Sequence, residues 1–177
     1  NGSGGDSTAD PAYAPTIPNI TVPTRTGYTL QGYYTKTAGQ GTRVYDEKGN
    51  GLIPWTSTSK VTYYAYWTAN TYTITYKDQG NTTYSGNNAS SLVTSHTFGT
   101  TTTLVSGTKT GYTFGGWFTA SDCSGTAITQ ITATQISSNT TLYAKWTANA
   151  LTFTGKDLGS VVYYQHVSNS VNVASNG

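Results

Sequence analysis

Threonine alternates with large apolar residues along this chain at a period of two. Tyr72, Ile74 and Tyr76 alternate with Thr71, Thr73 and Thr75, and Leu142, Ala144 and Trp146 alternate with Tyr143 and Lys145. Successive side chains of a strand point to opposite faces, so each stretch predicts a strand with one face buried. "KDQGN" (77–81) and "KDLGS" (156–160) supply the Asp and Gly of a tight turn, which predicts two hairpins with solvent-facing turns. Gly32 before Tyr33 and Gly116 before Trp117 predict points of close approach by another backbone or ring. The one helical candidate is "NNASSLVTSHTF" (87–98), where an asparagine would cap a short turn. Residues 1 to about 20 carry a Gly/Ser start and then Pro11, Pro15 and Pro18 without apolar periodicity, which predicts an extended arm or linker.

The chain then repeats itself. "PTRTGYTLQGYYT" (23–35) returns as "GTKTGYTFGGWFT" (107–119), and "VTYYAYWTAN" (61–70) as "TTLYAKWTAN" (140–149). "TANTYTITYKDQGNTTY" (68–84) returns as "TANALTFTGKDLGSVVY" (147–163), with nine of seventeen positions identical. The spacing is 79 residues from Trp67 to Trp146 and 84 from Gly27 to Gly111, the difference lying in a longer loop of the first copy. A fixed period of this kind is the mark of tandem modules. A unit consists of an opening hairpin, a middle and a closing strand. The chain divides into an arm (1–21), a middle and close (22–69), a complete unit (70–147) and an opening hairpin (148–177).

Composition narrows the class. Charged residues make up 9% of the chain, while it holds 15 Tyr and 4 Trp, and Thr is abundant. Such residues suit pleated, half-buried sheet, so the expected class is mainly β. The net charge of +2 is dispersed without a basic cluster, which argues against nucleic acid as a partner. No apolar run reaches the roughly 18 residues of a membrane span. Low charge and reliance on aromatics instead of cysteines fit the exterior of a bacterium or archaeon.

At "TKTGYTFGGWFTASDCSGTAI" and "SSNTTLYAKWTAN" the chain resembles the Listeria–Bacteroides repeat, the family of the internalin-type B repeat. Gly111, Tyr112, Phe114, Gly116, Trp117, Leu142, Tyr143, Ala144 and Trp146 carry the likeness. In the first copy Leu30, Tyr33 and Tyr63 stand in for Phe, Trp and Leu, and position 107 is Gly where the family usually has Pro. The resemblance implies β-grasp-like modules in tandem on surface proteins, acting as stalk, spacer or adhesion repeats and not as enzymes.

Candidate chemistry is thin. His96, His166, Cys123 and seven acids are scattered, with no pair recurring in both copies, so no catalytic set is expected. His96 reads as a polar sheet or loop residue. Cys123 lies in a polar, turn-like stretch and reads as an incidental small residue, the other options being a free thiol or an intermolecular link. Asp46, Glu47 and Asn50 share a loop but lack the alternating oxygen ligands of a calcium loop, so neither metal nor cofactor is expected. Asn1, Asn19, Asn81, Asn88 and Asn139 begin Asn-x-Ser/Thr sequences that an archaeal or eukaryotic host could glycosylate. The aromatics of "YYAYW" and "GGWF" recur at equivalent places, which favours core packing over a glycan platform. The expected repeat core is Ile74, Tyr112, Phe114, Trp117, Leu142, Ala144 and Trp146.

An incomplete unit leaves strand edges unpaired, and a lone hairpin is marginal in water. The half unit and the extra hairpin are complementary. The expectation is a head-to-tail surface filament or stalk in which Leu151, Phe153 and Tyr163 of one copy meet Leu30, Tyr33, Ala65 and Trp67 of the next. The competing expectation is an adhesin repeat that holds a host protein or glycan.

Overall fold

The computed structural model describes residues 2–5, 16–55 and 59–150. Asn1, the hairpin expected over 150–165 with Leu151, Phe153 and Tyr163, and His166 therefore lie outside the described residues, Ala150 excepted.

The fold is mainly β. The strands are β1 (Tyr28–Tyr34), β2 (Arg43–Tyr45), β3 (Tyr64–Ala69), β4 (Thr71–Asp78), β5 (Thr82–Thr83), β6 (Ser95–Thr97), β7 (Thr102–Thr103), β8 (Tyr112–Phe118), β9 (Gln130–Ile131) and β10 (Thr140–Ala148). No α-helix occurs among the described residues, and the expected helix reduces to a single 3-10 turn at Ala89–Ser91. Asn88 stands at its N-cap without capping it, because its amide is engaged elsewhere: Oδ1 accepts from the Tyr84 hydroxyl and Thr108 N–H, and Nδ2 donates to Ser106.

Two units follow one another. In the second, the sheet order is β5-β4-β10-β8, with β4 and β10 parallel, β10 and β8 antiparallel, and β6 paired with the start of β4. With no α-helix packed across this sheet among the described residues, the β-grasp detail of the expectation goes no further than a mainly β module. In the first unit the sheet is β2-β1-β3.

The sequence repeat is a structural one down to single hydrogen bonds. Leu30 opposes Trp67 and Tyr33 opposes Ala65 across β1 and β3, as Phe114 opposes Trp146 and Trp117 opposes Ala144 across β8 and β10. Both pairs carry a bulge at the same place, where Gly32 (φ +119°) and Gly116 (φ +114°) adopt a backbone that L side chains avoid. Asn70 N–H donates to Gly27 O and Asn149 N–H to Gly111 O, each at 2.9 Å.

Each unit has its own core. Ile74, Leu92, Leu104, Trp117, Ile131, Leu142 and Ala144 form that of the second, with Phe114, Trp146, Tyr76 and Tyr84 packed against it. Of the expected core, Tyr112 is corrected: it is 41% exposed, and Lys109 covers its ring at 4.2 Å. Ile17, Val44 and Tyr45 form the core of the first unit.

The end of the expected arm is anchored on the first unit, since Ile17 is 2% exposed and Ile20 N–H bonds Gly49 O. Ser3 and Thr24 exchange backbone hydrogen bonds of 2.6 and 2.7 Å. Asn87 N–H bonds Thr108 O at 2.6 Å across the same sequence separation. Residues 2–5 thus occupy in the first unit the place that 86–89 occupy in the second.

Candidate functional site: the open edge of the first unit

The two closing strands differ in what lies beside them. In β10, residues Thr140–Ala144 pair in parallel with Ile74–Asp78 of β4. Their counterparts in the first unit are 61–65. There β3 pairs with β1 alone, so among the described residues its other edge is open. The consequences follow residue by residue. Ala144 is fully buried, whereas its counterpart Ala65 is exposed. Leu142 and Thr140 lie inside β10, whereas their counterparts Tyr63 and Val61 fall outside any strand, and Val61 is 42% exposed. Tyr64 is 41% exposed. Unpaired N–H and C=O groups beside exposed apolar side chains make such an edge a template for another strand.

A groove of about 870 Å³ has a lining that includes Val22, Thr24, Arg25, Leu30 and Phe98, with Trp67 its one described residue from β3. In the second unit the opening hairpin packs against Trp146, the counterpart of Trp67. Tyr76 and Tyr84 lay their rings 4.6 and 5.6 Å from that of Trp117, and Tyr84 lies 6.1 Å from Trp146. The hairpin also brings Asp78, and here the expectation is corrected. Asp78 is not a solvent-facing turn residue: it is 8% exposed, and its Oδ1 accepts the Trp146 indole N–H at 2.7 Å. The signal was in the alternation, since Asp78 shares the inward parity of Tyr72, Ile74 and Tyr76.

Of the four residues expected to meet a neighbour, Ala65 lies on the open edge and half-buried Trp67 lines the groove. Leu30 also lines it but is only 6% exposed, and half-buried Tyr33 packs edge-on against Tyr45.

The scattered polar candidates stay apart. His96 is fully buried in β6, its Nδ1 2.9 Å from Thr102 Oγ1 and its Nε2 without a partner, and burial holds its imidazole below the usual histidine range. Cys123 is buried rather than turn-exposed, and burial pushes its thiol up, away from the reactive thiolate. Asp46 spends its carboxylate on Lys48 and Asn50 of its own loop, and Glu47 on Arg43. Among the possible glycan acceptors, Asn19, Asn81 and Asn139 are exposed, while Asn88 is tied down by the bonds already described.

Residues 1–66 and 72–145 match the Listeria-Bacteroides repeat domain. The chain is similar to Internalin H of Listeria monocytogenes, 34% identical over 134 residues that cover 75% of this chain and 22% of that protein. The chain thus spans about a fifth of the length of that relative. No solved structure matches it.

Proposed function

The chain belongs to the Listeria-Bacteroides repeat family, and we propose that it is a non-catalytic structural repeat of a prokaryotic cell surface, joined head to tail by strand complementation. The observation that carries this reading is the open edge of β3, set against the same edge of β10, which holds β4. The occupant is present in the sequence. Residues 147–163 repeat 68–84, the stretch that supplies β4 to β10. The closing strand β3 runs through Asn70 directly into β4, and the residues that follow β10 repeat that sequence, which supports their entering a following copy in the same way.

The junction between the units supports the same geometry. Phe98 sits on Gly27 and Tyr28 at the end of the first unit. At the end of the second, the counterparts Gly111 and Tyr112 are exposed, with open space where a side chain would sit on Gly111. Among the described residues, then, the β3 edge has no hairpin beside it and the Gly111 face no cap, and residues 147–163 of another copy repeat the hairpin that β10 holds. This is a heterologous contact, which propagates unless it closes into a ring.

Light scattering over a concentration series, followed by electron microscopy, tests the proposal. Filaments or rings that grow with concentration, without added ligand, are the expected result. A monodisperse chain that binds host protein or glycan would overturn it in favour of an adhesion repeat.

A further inference from the structure

This inference rests on the head-to-tail reading and concerns which residue recognises the join. In the second unit the Trp146 indole Nε1–H reaches Asp78 Oδ1 at 2.7 Å, while Ser85 gives Oδ2 its backbone N–H and its hydroxyl. A carboxylate this buried is tolerated only where donors meet it. The strand register aims the pair: Ala144 stands opposite Asp78, and Trp146 lies two residues further along the same face.

Both members recur. Trp67 precedes Trp146, and Asp157 follows Asp78, each by 79 residues. Trp67 keeps its counterpart's place, opposite Leu30 as Trp146 is opposite Phe114. Trp67 also lines the groove. Among the described residues, the carboxylate lining that groove is Glu47, and Arg43 already holds it at 2.6 Å.

We propose that Asp157 of one copy accepts the Trp67 indole N–H of the next, repeating at the join the bond that Trp146 and Asp78 make within a unit. The counterpart of Ser85 is Tyr164, so of the two side-chain donors to Asp78 the indole is the one carried over. This makes Asp157 a specificity residue. A hairpin bearing it docks well only against a closing strand that ends in Trp, because elsewhere its charge enters the interface without a side-chain donor.

The test uses the full chain carrying Phe153→Asp, which disables its own hairpin, and a fluorescent synthetic peptide of residues 147–167. Binding of the unmodified peptide is expected, with Asp157→Ala weakening it by about ten- to a hundredfold, the loss of one hydrogen bond to a charged group. Against a chain that also carries Trp67→Phe, the advantage of the unmodified peptide should vanish or reverse, because its carboxylate then enters without the indole donor, the signature of a coupled pair. In nitrogen-15 spectra the Trp67 indole N–H resonance, identified by its loss in Trp67→Phe, should move downfield with the unmodified peptide alone. Sequential assignment of the Trp67 chain identifies the same resonance, so this readout stands even if Trp67→Phe folds poorly. Equal binding of both peptides to the Trp67 chain, or an unmoved resonance, would overturn the Asp157–Trp67 bond and leave the head-to-tail reading intact. Failure of the unmodified peptide to bind would overturn both.

Discussion

Phe98 meets Tyr28 edge-on, with ring centroids 5.6 Å apart and planes at 79°, and this contact joins the two units. It is possible because Gly27 has no Cβ. An added Cβ there would lie 2.2 Å from the Phe98 ring, whereas at Gly111 it would meet nothing within 4 Å. Both glycines have positive φ, +75° and +79°, so an alanine at either pays the same left-handed strain, roughly 1–2 kcal/mol. Gly27→Ala adds overpacking of roughly 1–3 kcal/mol. Chemical denaturation should therefore show Gly27→Ala as clearly the worse of the two. Equal losses would mean that Phe98 moves aside freely.

Trp117 is 1% exposed, and its indole N–H donates to Val105 O at 2.8 Å. Trp117→Ala should cost roughly 3–5 kcal/mol by urea unfolding, the usual range for a buried aromatic. Trp146→Ala should cost a comparable amount, because it removes ring packing and also leaves Asp78 short of a donor. A loss below about 1 kcal/mol at either would place that ring outside the core.

How much of this was legible beforehand varies with what each residue answers to. The alternation of Tyr72, Ile74 and Tyr76 with threonines is a local consequence of the pleat, and β4 follows it closely. The repeat placed Trp117 and Trp146 in a common core, since the same aromatics recur only where the same packing recurs. Parallel pairing of β4 with β10 was not legible, because pairing partners are chosen by tertiary contact and not by either strand's own pattern. Asp78 misled through its composition: Lys-Asp before Gly reads as turn chemistry, while its burial is met by Ser85 and by an indole 68 residues away. Ile17 misled because prolines surround it, and a single apolar anchor has no period to detect.

His96 makes the second unit sensitive to acid. Burial lowers its pKa below 6.5, so as the pH falls through 6.5 the unfolded chain takes up a proton that the folded chain refuses. Stability should drop between about pH 7 and the lowered folded value, and level off below it. The depressed carboxyls of Asp46 and Asp122 titrate lower, so they leave this window to His96. Thermal melts from pH 7.5 to 5 should slope downward for the native chain and flatten for His96→Gln. An unchanged slope would assign the acid sensitivity elsewhere.

The open edge should be closable within one chain. Residues 2–5 stand where 86–89 stand in the complete unit, so the counterpart of the hairpin that ends at Tyr84 belongs just ahead of residue 1. Prefixing the chain with a second copy of residues 68–84 places that hairpin immediately before residue 1, at the spacing it has in the second unit. Its Ile74 and Asp78 counterparts should then pair with 61–65 as β4 pairs with β10. Each large apolar side chain so buried contributes roughly 1.5–3 kcal/mol, without the roughly 4–15 kcal/mol entropic cost of joining two molecules. The prefixed chain should unfold at higher denaturant, show slow amide exchange at Tyr63–Ala65, and stay monomeric where the native chain associates. Continued growth of the prefixed chain into the same assemblies would mean that the β3 edge is not where copies meet.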